Sequence, residues 1–385
     1  MGRIAYLMGS FPVWSETFIA QELKLLCAAG LDILPIAVRP GLGALPVDIP
    51  EPVYLNSETK PAASVRVPRA GVISAGRLRR HAVLARRARE VDALTAYLTD
   101  NGASHIHAAF ADVPGLLSAK AARTAGIGYS ISIHAHDVLV PKFDDGFLFG
   151  DAEFIAACNT FARDALVQRR PELQSRVRLI PHGIILADWP LRKSTFRAHD
   201  PLRFLSLGRL VPKKGMDTGI RLIAHLNRCG IDCTLEIVGE GPESERLAGI
   251  AGDEGVGDKV CRHEVVSRDR IPALMAEADI LLVPSRRLED GDADGIPNII
   301  IEAMATGLPV LARDTGSIGE VVTNETGFRF DPEAPEACVD TIRALMGDTA
   351  SVSSRLTAAH AMIEQRFSAE ALIEEKIALL RDFVT

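Results

Sequence analysis

Asp294-Gly295-Ile296-Pro297-Asn298-Ile299-Ile300-Ile301-Glu302-Ala303-Met304-Ala305-Thr306-Gly307-Leu308-Pro309 is the stretch on which the reading of this chain turns. Pro297 suits a first helical position, Gly307 suits a helix stop, and the apolar residues between them predict a helix buried against a sheet. A short apolar run, Val310 to Ala312, follows at once and reads as a strand. Helix followed by strand is the repeating step of a parallel α/β sheet.

The same alternation extends in both directions. Upstream runs at Arg203 to Leu207, Thr234 to Val238 and Ile280 to Val283, with an ambiguous stretch at Val260 to Val266, complete one series. An earlier series reads Ile4 to Met8, Ile33 to Val38, His105 to Ala109, Tyr129 to Ile133 and Val177 to Ile180. Between them Leu186 to Asp200 loses periodicity and carries Pro190, which predicts a linker. The expected fold class is therefore α/β with two Rossmann-like domains, residues 1–188 and 189–368, facing each other across a cleft. Residues 369–385 are expected to add a helix, Ala369 to Val384, that packs back on the first domain, and Pro40 to Pro68 to form an extended loop.

Composition narrows the function classes. A hydrophobic share of 47% and a charged share of 24% belong to a folded globular chain. The net charge of -7 disfavours a nucleic-acid binder, which needs an excess of basic surface. Six cysteines without a C-x-x-C pair predict reduced, mostly buried thiols in a cytoplasmic setting and no metal site built from cysteine. Ile4 to Met8 reads as a first strand rather than a signal sequence, and no apolar run is long enough to span a bilayer. Arg66 to Arg89 holds eight arginines and no acid, which predicts either a solvated helix face or peripheral contact with an anionic membrane.

The chemistry concentrates in the second series. The amino terminus of the helix after Pro297 offers unpaired N–H groups and a positive dipole end to a diphosphate. Asp294 and Glu302 are eight residues apart, roughly 12 Å at helical rise. That is comparable to the reach of a nucleotide sugar from ribose to hexose, and ionised carboxylates accept strongly from hydroxyls. Ordinary loop and helix acids are the plain alternative. Gly208-Arg209 closes a predicted strand and Lys213-Lys214-Gly215 follows in the loop before a helix, which brings two cations, Arg209 and Lys214, to the carboxyl edge of the sheet. There they can neutralise a leaving diphosphate.

Gly208-Arg209 with Lys214-Gly215, Ile237-Val238-Gly239-Glu240-Gly241-Pro242, Val283-Pro284-Ser285 and Asp294 to Pro309 stand in the order and spacing of family 4 glycosyltransferases, which this chain resembles over almost its whole length. The opening Phe11 to Leu23 resembles the subgroup of exopolysaccharide and colanic-acid assembly. The resemblance implies the GT-B fold and a hexosyltransferase. The donor would be a nucleoside-diphosphate sugar and the acceptor a lipid-linked or glycan hydroxyl, with configuration retained and neither metal nor other cofactor. It implies catalytic roles for His134, Arg209, Lys214 and Asp294, the cations on the diphosphate and Asp294 on the hexose with the backbone of Gly295 and Ile296. Glu302 would hold the ribose, with Gly208, Gly239, Asn298, Gly316 and Ser317 completing the donor site. Ser15, Glu16, Thr17, His136 and Asp137 would lie near acceptor or phosphate, with helix capping the plainer duty of Ser15.

One departure stands out. The family has glutamate at both ends of its E-x7-E motif and this chain has Asp294 at the first. An acid shorter by one methylene fits a water-mediated sugar contact, a different donor or lower activity. A dinucleotide oxidoreductase is disfavoured, because Gly239-Glu240-Gly241-Pro242-Glu243-Ser244 lacks the third glycine of G-x-G-x-x-G. A sugar-nucleotide epimerase of the same fold and a non-catalytic nucleotide-sugar-binding protein stay open as rivals.

Overall fold

The computed structural model describes residues 2–13, 16–43, 45–56, 72–192, 196 and 198–384, side chains at 72–75 excepted. Ser15, Arg66 and Arg69 and residues 44 and 57–68 of the expected loop lie outside the described residues. The chain divides into two compact units, one of residues 1–183 and 369–385 and one of residues 184–368. It crosses between them at 183/184, ahead of the aperiodic stretch, because Ile184 and Trp189 are already buried in the second unit's core.

The first unit holds seven strands: β1 (Arg3–Phe11), β2 (Ile33–Pro40), β3 (Val53–Tyr54), β4 (Ala103–Ala108), β5 (Gly128–Ile133), β6 (Ile155–Ala157) and β7 (Val177–Leu179). All pair in parallel, in the order β3-β2-β1-β4-β5-β6-β7. Side chains alternate along β1, as the pleat requires. Ala5 and Leu7 join one core with helices Ala88–Asp100 and Val113–Ala125. Ile4, Tyr6 and Met8 join the other with helices Thr17–Ala28 and Ala369–Arg381.

The second unit repeats the plan with β8 (Leu202–Leu207), β9 (Cys233–Val238), β10 (Val260–His263), β11 (Ile280–Val283), β12 (Val310–Arg313) and β13 (Phe328–Phe330), again all parallel. Their order is β10-β9-β8-β11-β12-β13. Leu202 and Phe204 face one core, Leu205 the other. The ambiguous run resolves as edge strand β10, whose last three residues are exposed, so burial does not pattern it.

Expected thiol burial needs correcting. Only Cys233 and Cys338 are buried, Cys27, Cys158 and Cys229 are half-buried and Cys261 is exposed on β10. Cysteines outside disulfides fill whatever position the helix or strand period assigns them.

The last helix is held by a charge inside the core. Lys376 is 1% exposed and pairs with Glu22, which also accepts from the Tyr6 hydroxyl at 2.7 Å. The ammonium donates to Ser132 Oγ at 3.2 Å, Ser132 meets His107 Nε2 at 2.9 Å, and Ser130 bridges His107 Nδ1 (2.7 Å) to His105 Nε2 (2.8 Å). Burial holds the Lys376 ammonium below its usual range, with Glu22 opposing the shift. Removing one partner of such a pair strands the other in the core. Lys376→Ala is therefore expected to cost about 3 kcal/mol in urea unfolding followed by circular dichroism, and Lys376→Met with Glu22→Gln to recover most of it. Equal losses in the single and double variants would contradict this.

Candidate nucleotide-sugar site

In the second sheet the chain leaves central β8 towards β9 on one side and returns as β11 on the other, so the loops after β8 and β11 part at the switch point of the sheet. The loop after β8 makes a tight turn over Pro212–Lys214 before helix Met216–Arg228. Gly215 closes that turn at φ +65°, where a Cβ would stand 2.0 Å from the Pro284 carbonyl oxygen, so a side chain has neither backbone freedom nor room. Arg286 ties the two loops by donating its backbone N–H to the Lys213 carbonyl at 2.8 Å and its Nε–H to that of Pro212 at 2.8 Å.

Asp294 is the focus. It is 8% exposed and accepts from Lys214 Nζ at 2.9 Å and from Ser285 Oγ at 2.7 Å, with Lys213 Nζ 3.9 Å away. Burial works to raise its pKa, but the Lys214 charge, the two hydrogen bonds and Lys213 outweigh burial and hold the carboxyl below its usual range. It is an anion at neutral pH. Gly316, at φ +57°, lets the next loop lie against the Asp294 backbone, where a Cβ would sit 2.0 Å from its carbonyl oxygen. Beside it the buried Ser317 hydroxyl has no hydrogen-bond partner among the described residues.

The helix beyond runs Asn298–Thr306 and ends at Gly307 in the left-handed conformation. Pro297 is its cap rather than its first residue, with ψ of 129°, since the chain turns helical only after it. Residues 294–297 are thus not helical, and a separation of the two acids taken from helical rise does not hold. No side chain caps the helix; the Ile300 N–H donates to the Pro297 carbonyl at 2.9 Å, and Gly295, Ile296 and Asn298 at its start are half-buried. Glu302 is 6% exposed one turn in. Burial pushes its carboxyl up to about 7, with the Arg268 charge opposing. Arg268 stacks over Trp189 at 5.6 Å.

Other expected residues divide. Gly208 and Gly239 touch at the strand tips, a Cβ on Gly239 lying 2.0 Å from the Gly208 carbonyl oxygen, and the Lys214 chain passes 3.6 Å from the Cβ position of Gly208. Arg209 is exposed, and its side chain makes no hydrogen bond or ion pair among the described residues.

In the first unit His134 caps the short helix Ala135–Leu139 after β5. Asp137 Oδ2 accepts from the His134 backbone N–H at 2.9 Å and lies 3.3 Å from its Nδ1. His134 Nε2 meets His182 Nε2 at 2.8 Å, and Phe18 lies 3.9 Å from the His182 ring. Burial, then the His134 and Lys376 charges, hold His182 well below the usual histidine range. His136 is half-buried on the same short helix. Thr17 begins helix Thr17–Ala28 and Glu16 precedes it without a side-chain cap bond. The sequence does not mark Ser285, Lys213 or His182 as site residues, because their partners come from other loops, and only the order of motifs hints at Ser285.

The family of glycosyl transferases group 1 matches residues 188–365. The matched stretch is just under half of the chain. It takes in every expected donor-site residue of the second unit, from Gly208 to Ser317. A GDP-mannose-dependent alpha-(1-6)-phosphatidylinositol monomannoside mannosyltransferase of Mycobacterium tuberculosis is 36% identical over 160 residues, 41% of this chain and 41% of its own length. The amylovoran biosynthesis glycosyltransferase AmsK of Erwinia amylovora is 33% identical over 171 residues, 44% and 42%. The chain thus spans about two fifths of the length of the curated relatives it matches. Among solved structures, Anabaena Alr3699/HepE in complex with UDP and glucose aligns over 99% of this chain and all of its own, with TM-score 0.75 and 18% identity. That likeness speaks for the fold, two Rossmann-like units of the GT-B class.

Glu302 carries a pH signature of its own. Because Glu302 has a folded pKa near 7 against an ordinary 4.5, its contribution to stability is complete below 4.5 and is lost as pH rises through 7. The loss amounts to about 3 kcal/mol. Glu302→Gln is expected to flatten the fall in Tm between about pH 5 and pH 8, raising Tm at the upper end. Parallel pH profiles of both proteins would refute a buried, proton-binding Glu302.

Proposed function

We propose that the chain transfers a hexosyl unit from a nucleoside-diphosphate sugar to an acceptor hydroxyl with retention, in assembly of a cell-surface polysaccharide. The observation that carries this reading is the buried Asp294 carboxylate, bonded to Lys214 and Ser285 just ahead of an uncapped helix in a group 1 domain. A diphosphate at that helix end meets backbone N–H groups that no side chain caps and the Lys214 ammonium, with exposed Arg209 able to fold over it. Asp294 accepts from hexose hydroxyls, and Glu302, deprotonating as ribose hydroxyls reach it, accepts from those. In the first unit His134 offers an imidazole, oriented by Asp137, to a sugar hydroxyl or its phosphate.

In the reaction the bond from the anomeric carbon to the diphosphate oxygen breaks as the acceptor oxygen bonds to that carbon from the same face. The acceptor proton passes to the departing phosphate. Positive charge around the leaving group supplies the main rate term, and the scheme calls for no metal. The named activities of the two relatives and the UDP and glucose of the solved neighbour support this donor class.

Purified full chain offered UDP-glucose and GDP-mannose with a lipid-linked glycan acceptor should release nucleoside diphosphate only when acceptor is present, giving a product of unchanged anomeric configuration by NMR. Lys214→Ala should lower turnover by about 100-fold or more. Donor isomerisation without release points to an epimerase, and binding without turnover to a non-catalytic protein; either sinks the reading.

A lipid-linked acceptor accords with helix Val72–Arg86 and the residues after it, which expose Arg77, Arg86, Arg89 and, at 71%, Leu78. Arg80 and Arg87 are engaged by Asp144 and Glu90, so part of the basic run is structural. Among the described residues no helix is long and apolar enough to cross a membrane. Co-sedimentation with phosphatidylglycerol vesicles at low salt, lost in Arg77→Glu/Arg86→Glu/Arg89→Glu, is the expected result, and equal pelleting of both proteins would count against it.

A further inference from the structure

Three neighbouring strand tips of the first sheet carry chemistry that the transfer reaction does not use together. His134 follows β5, Cys158 follows β6 and His182 lies in the loop after β7, and these strands are adjacent in the sheet. One ligand atom from each lies within 4.8 Å of the other two. Parallel order is what assembles them, since successive strands end at the same edge.

We propose that His134, Cys158 and His182 form a binding site for a divalent ion of the zinc class, with Asp137 as the carboxylate behind the first histidine. Two imidazoles and a thiolate are a preferred donor set for Zn2+. Metal-bound histidines characteristically give their second ring nitrogen to a carboxylate, and Asp137 Oδ2 stands 3.3 Å from His134 Nδ1. That contact fixes the His134 tautomer with the Nδ1 proton towards Asp137 and the Nε2 lone pair towards the cluster. An apolar wall is present too, the Phe18 ring lying 3.9 Å from His182 and the Phe110 ring 4.5 Å from His134.

The two imidazoles need only small motion, and the thiol sulfur already lies within 4.8 Å of both. Zinc binds nitrogen at about 2.0–2.1 Å and sulfur at about 2.3 Å, which separates two tetrahedral nitrogens by about 3.3 Å. The Nε2 atoms now stand 2.8 Å apart, so the rings part by roughly half an ångström. His182 moves its proton from Nε2 to Nδ1, Cys158 gives its thiol proton to solvent, and the ion takes three protein ligands. The fourth position is left for water or a substrate oxygen. The nearby Lys376 charge is felt at His182 and works against a cation there, with its partner Glu22 offsetting part of it. A bound ion would occupy the His134 nitrogen that the proposed transfer uses, and so inhibit. The site itself does not rest on the transfer reading.

A second cluster supplies the control. His225, Cys229 and Glu336 gather in the second unit, but their carboxylate is 79% exposed. Metal-free full chain titrated with Zn2+ by calorimetry should bind one tight equivalent that survives His225→Ala/Cys229→Ala. With Co2+ the chain should show a thiolate-to-cobalt charge-transfer band and tetrahedral d–d bands, the former abolished by Cys158→Ser. His182→Gln should remove tight binding and Asp137→Asn weaken it by about 10–100-fold. Unchanged thermal melts of the metal-free variants would show that they fold. A tight equivalent retained in Cys158→Ser/His182→Gln, or no tight equivalent in the full chain, overturns the assignment.

Discussion

An ionised carboxylate with 8% of its surface exposed is tolerable only when cations and donors surround it, and Asp294 is the point on which the loops of the second unit are built. Its partners come from two chain segments that leave neighbouring strands, Lys214 after β8 and Ser285 after β11. Holding them together demands close backbone approach, which Gly215 and Gly316 provide by having no Cβ. The same loops flank the free end of helix Asn298–Thr306. Charge satisfaction, loop geometry and an anion-binding helix end are therefore one arrangement rather than three.

The two acids of the motif are tuned apart. Asp294 is held below the ordinary carboxylate range by direct partners, whereas Glu302, with only the Arg268 charge to oppose its burial, is pushed up to about 7. An acid with so little to oppose its burial carries a cost that a ligand rich in hydroxyls can relieve. In the first unit the buried pair of Lys376 and Glu22 is satisfied instead within the protein, and it fastens the last helix to a sheet made some 250 residues earlier in the chain.

Periodicity made most of the fold legible. Runs such as Ile33 to Val38 and Ile280 to Val283 are long enough, and buried enough on both faces, to declare themselves as parallel strands. Strands β3, β6 and β13 are too short, at two or three residues, to display a period, and they exist because a neighbouring strand offers its edge; β7 is as short but lies in the apolar run Val177 to Ile180. Pro297 shows the limit at a boundary. Its ring suits both the cap and the first helical position, and only the ψ of the backbone separates the two.

For the candidate sites, the residue types and their order were written in the chain: the acids, the cations and the glycines between Gly208 and Ser317, and His134 with Asp137. Local chemistry sufficed, because each depends on its own strand end or helix start. Partnership was not written there. That Ser285 and Lys214 meet on one oxygen of Asp294, that Arg209 stands exposed, and that Cys158 joins two histidines despite the absence of any metal-like spacing, follow from which strands lie side by side. Strand order in a parallel sheet is decided by the packing of helices on both faces, a long-range outcome that no local run of residues encodes.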